Sequence, residues 1–158
     1  MVVEKPIVSS PPGKKRVLIL CTANSCRSQL AEALWRHEAG DRYDVFSAGT
    51  EPKEIHPLTA RVLQELSISL KGHRSKDVRE FTGQHFDLVV TVCGHARDTC
   101  PAFPRAVRME HWPIDNPAAT VGSEEAVLAV FRRVRDDIRQ RIREYVAPRA
   151  AGLTPADG

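Results

Sequence analysis

The stretch Leu18–Trp35, LILCTANSCRSQLAEALW, decides how the rest of this chain is read. It opens on aliphatics of the kind that form a strand buried on both faces, and RVLIL at 16–20 is the full run. The run stops at Cys21. Five residues then separate that thiol from Arg27 and Ser28, where a helical pattern begins with Leu30, Ala31, Leu34 and Trp35 on one side. A loop that closes onto a helix N-terminus turns several backbone N–H groups toward one point and has the helix dipole behind them. Cys21 at the mouth of such a loop faces those donors and a guanidinium, so its thiolate is expected to be favoured. Arg27 can grip a tetrahedral oxyanion through two parallel hydrogen bonds, which a lysine cannot. Ser28 can donate to the Cys21 sulfur, and Asn24 tolerates the left-handed backbone that a tight loop demands. The candidate oxyanion-binding loop is therefore Cys21, Thr22, Ala23, Asn24, Ser25, Cys26, Arg27 and Ser28, and the guest it fits is phosphate or a phosphate mimic.

Outward from this stretch, strand and helix patterns alternate. YDVFSAG at 43–49 alternates as a strand and ends in a glycine turn, and Pro57 opens a helix expected to turn Ala60, Leu63 and Leu66 inward. FDLVVTV at 86–92 and AVRMEHW at 106–112 read as two further strands. Ser123 starts a long helix to about Val146, with Val127, Val130, Phe131, Val134, Ile138, Ile142 and Tyr145 as its apolar stripe. Strands separated by helices imply crossover connections. The expected fold class is α/β, a three-layer doubly wound sheet of about four parallel strands with helices on both faces. In such sheets ligands sit beyond the carboxyl ends of the strands. Cys21 and Cys93 each follow a strand directly, which places two thiols at one edge.

The 158 residues make one domain by length, with 42% hydrophobic and 27% charged residues, an ordinary globular mixture. The net charge of +3 suits an anionic ligand and is too mild to argue for nucleic acid. The arginines of FRRVRDDIRQRIREY sit among five acids between Glu124 and Glu144, which reads as an ion-paired helix face. Residues 1–15 and 148–158 read as mobile extensions around a domain at 16–147. No apolar run approaches a membrane span, and the start lacks a signal-peptide pattern, so a cytoplasmic location and no membrane partner are expected. In that compartment four cysteines point to catalysis, metal binding or inert burial before structural disulfides.

Cys93 and Cys100 stand seven apart in VCGHARDTCP. On a continuous helix that separation rises ~10.5 Å, beyond the ~4.4–6.8 Å between Cα atoms that a disulfide needs. The two can bond only if the segment unwinds, and Gly94 and Pro101 bracket a helix short enough to do so. The spacing is also wrong for zinc, and no metal is expected. Inert buried thiols are the alternative.

CTANSCRSQLAEALW, FSAGTEP, DLVVTVCGHARDTCP and EHWPIDNPA together resemble the thioredoxin-coupled arsenate reductases built on the low-molecular-weight tyrosine phosphatase fold, over about Arg16 to Tyr145. The resemblance implies arsenate as substrate, a detoxifying role and a relay of three thiols. Cys21 would form the arsenate adduct, Cys93 would displace arsenite, and Cys100 would pass the disulfide on to thioredoxin; Cys26 would stand outside the relay. The other readings are a low-molecular-weight tyrosine phosphatase, a weakly active oxyanion or redox sensor, and a reductase with a weak side phosphatase activity. Ala118 weighs against the phosphatase, because it stands where the family carries an aromatic residue. A monomer is expected.

Two departures from the family stand out. Its general-acid aspartate precedes a proline, whereas here Asn116 precedes Pro117 and Asp115 lies one residue earlier. Asparagine cannot surrender a proton, and general acid catalysis is typically worth ~10²–10⁴-fold. Asp115 reaching in after a loop shift, Asn116 sufficing, or a slow enzyme all remain open. Some relatives also hold potassium through residues matching Asn24, Glu32 and Ser47. Here Arg74 and Lys76 occupy the places of further oxygen ligands, so a lysine ammonium near Glu32 is expected in place of the ion, with no potassium requirement and no cofactor.

Overall fold

The computed structural model describes residues 13–94, 103 and 105–147. Residues 1–12 of the extension expected at 1–15, the one expected at 148–158, and Cys100 with most of its segment lie outside the described residues.

Four parallel strands form one sheet: β1 (Lys15–Cys21), β2 (Tyr43–Gly49), β3 (Leu88–Thr91) and β4 (Met109–His111), in the order β2-β1-β3-β4. Strand β1 begins at Lys15, inside the stretch expected to be a mobile extension, because Lys15 is in register with Tyr43. Val17 to Leu20 are wholly buried, as a strand covered on both faces requires. Among the described residues three α-helices, α1 (Arg27–Ala39), α2 (Pro57–Gln64) and α3 (Glu124–Val146), join the strands, with 3₁₀ turns at Val78–Glu80 and Pro117–Ala119. Ser123 caps α3 by accepting from the Ala126 amide at 3.1 Å.

Alternation along β2 sends Tyr43, Val45 and Ser47 to one face and Asp44, Phe46 and Ala48 to the other. On the first face lie α1 and α3. Trp35 of α1 stacks on Trp112 at 5.8 Å between centroids and meets Tyr43 and Tyr145 at 5.4 and 5.6 Å. One indole thus ties α1 to β2, to the chain after β4 and to α3. On the opposite face Phe46 packs on Phe81, just after the 3₁₀ turn Val78–Glu80, and on Phe86, which in turn meets Phe103. The Arg16 guanidinium covers the Phe46 and Phe86 rings at 5.0 and 4.7 Å.

Two helix faces differ from the sequence reading. In α2 the buried residues are Thr59, Val62 and Leu63, while Ala60 is exposed and Leu66 lies past the helix end. Leu63 is buried as expected and Leu66 packs on the core from beyond the helix end, whereas Thr59 and Val62 face inward in place of Ala60. In α1 burial runs from Ser28 through Trp35 and includes Gln29 and Glu32. That helix is wedged between the sheet, α3 and its own leading loop, so its polar residues face inward as well. On α3, Arg132, Arg133, Arg135, Arg139 and Arg143 each meet a carboxylate, as an ion-paired face should.

The Trp35 indole N–H has no hydrogen-bond partner although it is buried. Trp35→Ala is expected to cost ~3–5 kcal/mol in urea unfolding. Trp35→Phe should cost well under half as much, since it keeps most of the ring contact and removes an unsatisfied donor.

Candidate active site

In this strand order the direction of winding reverses between β1 and β3, and a crevice opens beyond their carboxyl ends. Cys21 closes β1, and Cys93 lies two residues past β3, whose extension is held by the Val92 amide on the Leu20 carbonyl at 2.9 Å. Both are buried thiols outside any disulfide. The Thr22 hydroxyl lies 3.2 Å from the Cys93 sulfur, so the second thiol touches the residue next to the first. Cys100 lies outside the described residues.

The loop after Cys21 is shaped by where its carbonyls go. The Cys21 carbonyl accepts from the Thr50 amide, Thr22 from Glu51, Ala23 from Lys53, and Ser25 from His56, at 2.8–3.2 Å. The Ser75 hydroxyl bonds the Ala23 and Asn24 carbonyls at 3.0 Å each, and the Thr59 hydroxyl reaches Ser25 at 2.9 Å. Every carbonyl from 21 to 25 is therefore occupied on one side. In a planar trans peptide the following N–H points the opposite way, so the amides of Thr22, Ala23, Asn24, Ser25 and Cys26 turn to the other side. The Asn24 amide is bonded to the Cys21 sulfur at 3.2 Å. Asn24 itself sits at φ 50, the left-handed conformation its side chain type tolerates. The first turn of α1 adds the N–H groups that no helix can satisfy internally.

Ser28 Oγ lies 2.9 Å from the Cys21 sulfur. The Asn24 side-chain amide nitrogen donates to Ser28 Oγ at 2.7 Å and to Ser47 Oγ at 2.9 Å, and Ser47 donates to Glu32. Arg27 is half-buried and bonds the Ile114 carbonyl at 3.2 Å, which draws the segment before Asp115 and Asn116 toward the loop. The side chains of those two residues are otherwise engaged. Asp115 is exposed and faces Arg133 at 3.4 Å, and Asn116 caps the 3₁₀ turn Pro117–Ala119 by accepting from the Ala118 amide at 3.1 Å. Cys26 is buried behind the loop, and burial pushes its thiol up, against weaker opposing hydrogen bonds from Thr59 and Ser25.

Glu32, also buried, pairs with Arg36 at 2.8 Å and Lys76 at 3.6 Å, and the His73 ring lies 4.0 Å away. The Lys76 ammonium also donates to the Arg74 carbonyl at 2.9 Å, whereas the Arg74 guanidinium turns outward to Glu80. Burial holds both Lys76 and His73 below their ordinary values, with Glu32 pulling the other way. The described residues contain no cluster of three or more His, Cys, Asp or Glu side chains fit to hold a metal. No described helix is long and apolar enough to cross a membrane.

Sequence reasoning missed the outer supports, Gly49, Ser75 and Gln29. Gly49 has a legible signal only in hindsight: a Cβ there would lie 2.5 Å from the Thr22 carbonyl oxygen and 2.8 Å from the Asn24 nitrogen. Both are backbone atoms that cannot swing aside. Gly49→Ala should therefore cost ~1–3 kcal/mol in urea unfolding. Inorganic phosphate is expected to slow Cys21 alkylation in the wild type and to leave it unchanged in Gly49→Ala.

Comparison with known proteins agrees with this geometry. The profile of the low molecular weight phosphotyrosine protein phosphatases matches residues 16–151. An arsenate reductase of Halalkalibacterium halodurans is 44% identical over 132 residues, covering 84% of this chain and 95% of that protein. A solved structure described as an arsenate reductase in the phosphate binding state superposes with a TM-score of 0.73 at 28% identity, covering 84% of this chain and 97% of the other. A thioredoxin-dependent arsenate reductase of Corynebacterium glutamicum does so with a TM-score of 0.64 at 31% identity, covering 87% of this chain and 62% of that one.

Proposed function

We propose, since the chain belongs to the low molecular weight phosphotyrosine protein phosphatase family and is similar over most of its length to arsenate reductases within it, that it reduces arsenate to arsenite with thioredoxin as reductant. The observation that supports this best is that neighbouring strands bring Cys21 and Cys93 to one sheet edge, where the Cys93 sulfur lies 3.2 Å from the hydroxyl of Thr22, the residue after Cys21. A phosphatase needs the first thiol and has no use for the second.

In this reading the Cys21 thiolate attacks arsenic and an arsenate oxygen leaves as water, giving a thiol–arsenate adduct held by the loop amides and Arg27. The Cys93 thiolate then attacks the Cys21 sulfur. The sulfur–arsenic bond breaks and its electron pair stays on arsenic, which departs as arsenite. Cys100 next attacks Cys93 and releases Cys21 as a thiolate. The Cys93–Cys100 disulfide is reduced by the thioredoxin dithiol. Cys26, with its raised thiol, takes no part. Asp115 on leaving Arg133, or Asn116 on leaving its cap, assists the departing oxygen after a loop shift, and phosphatase activity is weak because an aryl oxide needs a donated proton more than water does. The protein acts as a cytoplasmic monomer in arsenic detoxification.

Arsenate-dependent oxidation of thioredoxin is expected for the wild type. Cys93→Ser and Cys100→Ser should both lose multiple turnover, and Cys100→Ser should stop after one equivalent with Cys21 joined to Cys93. Turnover by either variant at the wild-type rate would overturn the relay. In the same assay Asn116→Asp should change the rate less than tenfold; a hundredfold rise would mean that the natural chain lacks its acid.

No resident cofactor is invoked, because the Lys76 ammonium beside Glu32 supplies the positive charge behind the loop. Rates in potassium and in sodium at equal ionic strength should therefore agree. A rise specific to potassium would refute this.

A further inference from the structure

Strand β4 ends the sheet and pairs only with β3. The Arg108 carbonyl and the Trp112 amide are spent on Val89 and Thr91, so the main-chain groups of Met109 and His111 point away from the sheet. Among the described residues those groups have no partner. The two faces of this edge differ. Arg108 and Glu110 pair at 2.7 Å on the face of Trp112, whose indole donates to Glu110 at 2.9 Å. On the other face Val107 and Met109 are 71% and 51% exposed. With Val121 they are the large hydrophobic side chains that the described residues leave in water. Edge strands are ordinarily blunted by charge, and adjoining exposed apolar side chains mark contact surfaces.

That face is also the face of Cys93. Register sets Val89 beside Met109 and Thr91 beside His111, and alternation carried two residues past Thr91 places Cys93 with them. On its β1 side Cys93 meets Thr22 at 3.2 Å, so a molecule reaching for sulfur here comes from the β4 side. Phe103 packs on Phe86, whose carbonyl accepts from the Val107 amide at 2.9 Å. Cys100 is three residues before Phe103, and covalent length alone keeps their Cα atoms within ~11 Å. A partner of ordinary footprint, roughly 800 Å² a side, covers the apolar pair and reaches both thiols.

We propose that Val107 and Met109, with the free main-chain groups of the β4 edge, form the docking surface for the dithiol reductant. This rests on thioredoxin being that reductant and adds where it sits. An extended segment of thioredoxin lies along β4 and covers the two side chains. One of its thiolates attacks a sulfur of the Cys93–Cys100 disulfide, and the other sulfur leaves as a thiolate. The second thiol of thioredoxin then attacks the mixed disulfide. Two electrons have passed: both thiols of this chain are reduced, and thioredoxin keeps the disulfide.

The test separates docking from exchange. Val107→Asp/Met109→Asp is compared with the wild type and with Val121→Asp, whose exposed side chain lies just before α3. In arsenate-dependent turnover the double variant should raise the KM for thioredoxin at least tenfold and change kcat less than twofold. Val121→Asp should leave both unchanged. Turnover driven by dithiothreitol, and arsenate-driven formation of the Cys93–Cys100 disulfide without reductant, should be alike in all three proteins. A wild-type KM in the double variant overturns the docking surface alone. Slower disulfide formation would mean that the pair serves the exchange itself, and a dimeric wild type made monomeric would mean that a second copy covers it; either also overturns the proposal. A wild type that turns over with dithiothreitol and not with thioredoxin overturns thioredoxin as reductant, and the docking surface with it. Should the double variant fail to melt cooperatively, Val107→Ser/Met109→Ser takes its place, with a KM rise of about threefold.

Discussion

The site depends on the outward capture of five consecutive carbonyls, those of residues 21 to 25. A loop of convergent amides is unfavourable by itself, because the partial positive charges repel and the carbonyls behind them must find donors. Leaving one such buried group unpaired costs ~1–3 kcal/mol. Here the donors come from 50–56, Thr59 and Ser75, so the wall around the loop is what keeps the amides facing inward. The inward face of the loop is thus made by residues that stand outside it. Gly49 is where the wall comes closest, which is why a methyl group at that position collides with backbone and not with a pliable side chain.

Topology supplies the second half. Cys21 and Cys93 are seventy-two positions apart in the chain, yet β1 and β3 are neighbours in the sheet and both strands end at the same edge. Because β2 was wound to the other side of β1, the crevice at that edge opens between the two thiol-bearing strands. The contact from Thr22 to Cys93 follows from this arrangement and needs no special loop. A second thiol placed after β2 or β4 would stand one strand further from Cys21 or beside the wall.

Much of this was legible in the sequence because it is local. Strand β2 was read to the residue, the Ser123 cap marked the start of α3, and the contact of Ser28 with the Cys21 sulfur followed from a strand, a loop and a helix start in succession. The left-handed Asn24 was legible for the same reason. What stayed hidden was non-local. Nothing in QLAEALW says that Gln29 and Glu32 point into the protein, since a helix with one apolar stripe normally turns such residues to water. Their burial follows from α1 being covered from several sides, and that is decided by elements distant in sequence. Ser75 and Gly49 were invisible on the same account: each matters only because the loop passes over it. Asp115 and Asn116 were singled out by position in a motif, and the structure finds one paired with Arg133 and the other capping a turn, two ordinary tasks that the motif does not encode.

The polar cluster behind the loop also explains how a buried carboxylate can serve a site that binds anions. Glu32 alone, a few bonds from Cys21, would repel both the thiolate and its guest. Arg36 and Lys76 flank it, and the hydroxyl of Ser47 bonds it directly, so its field is largely spent locally. Holding Lys76 there is unfavourable for the ammonium, whose affinity for its proton is lowered by burial. Buried ion pairs of this kind seldom add net stability. What they add here is order. The ammonium that faces Glu32 also bonds the Arg74 carbonyl, and the Lys76 amide fixes Asn24, so charge balance and loop geometry are set by one short segment, 73–76. A cation carried by the chain itself has no binding equilibrium and does not vary with the salt outside. The orientation of Asn24, and through it of Ser28, is then as constant as the fold.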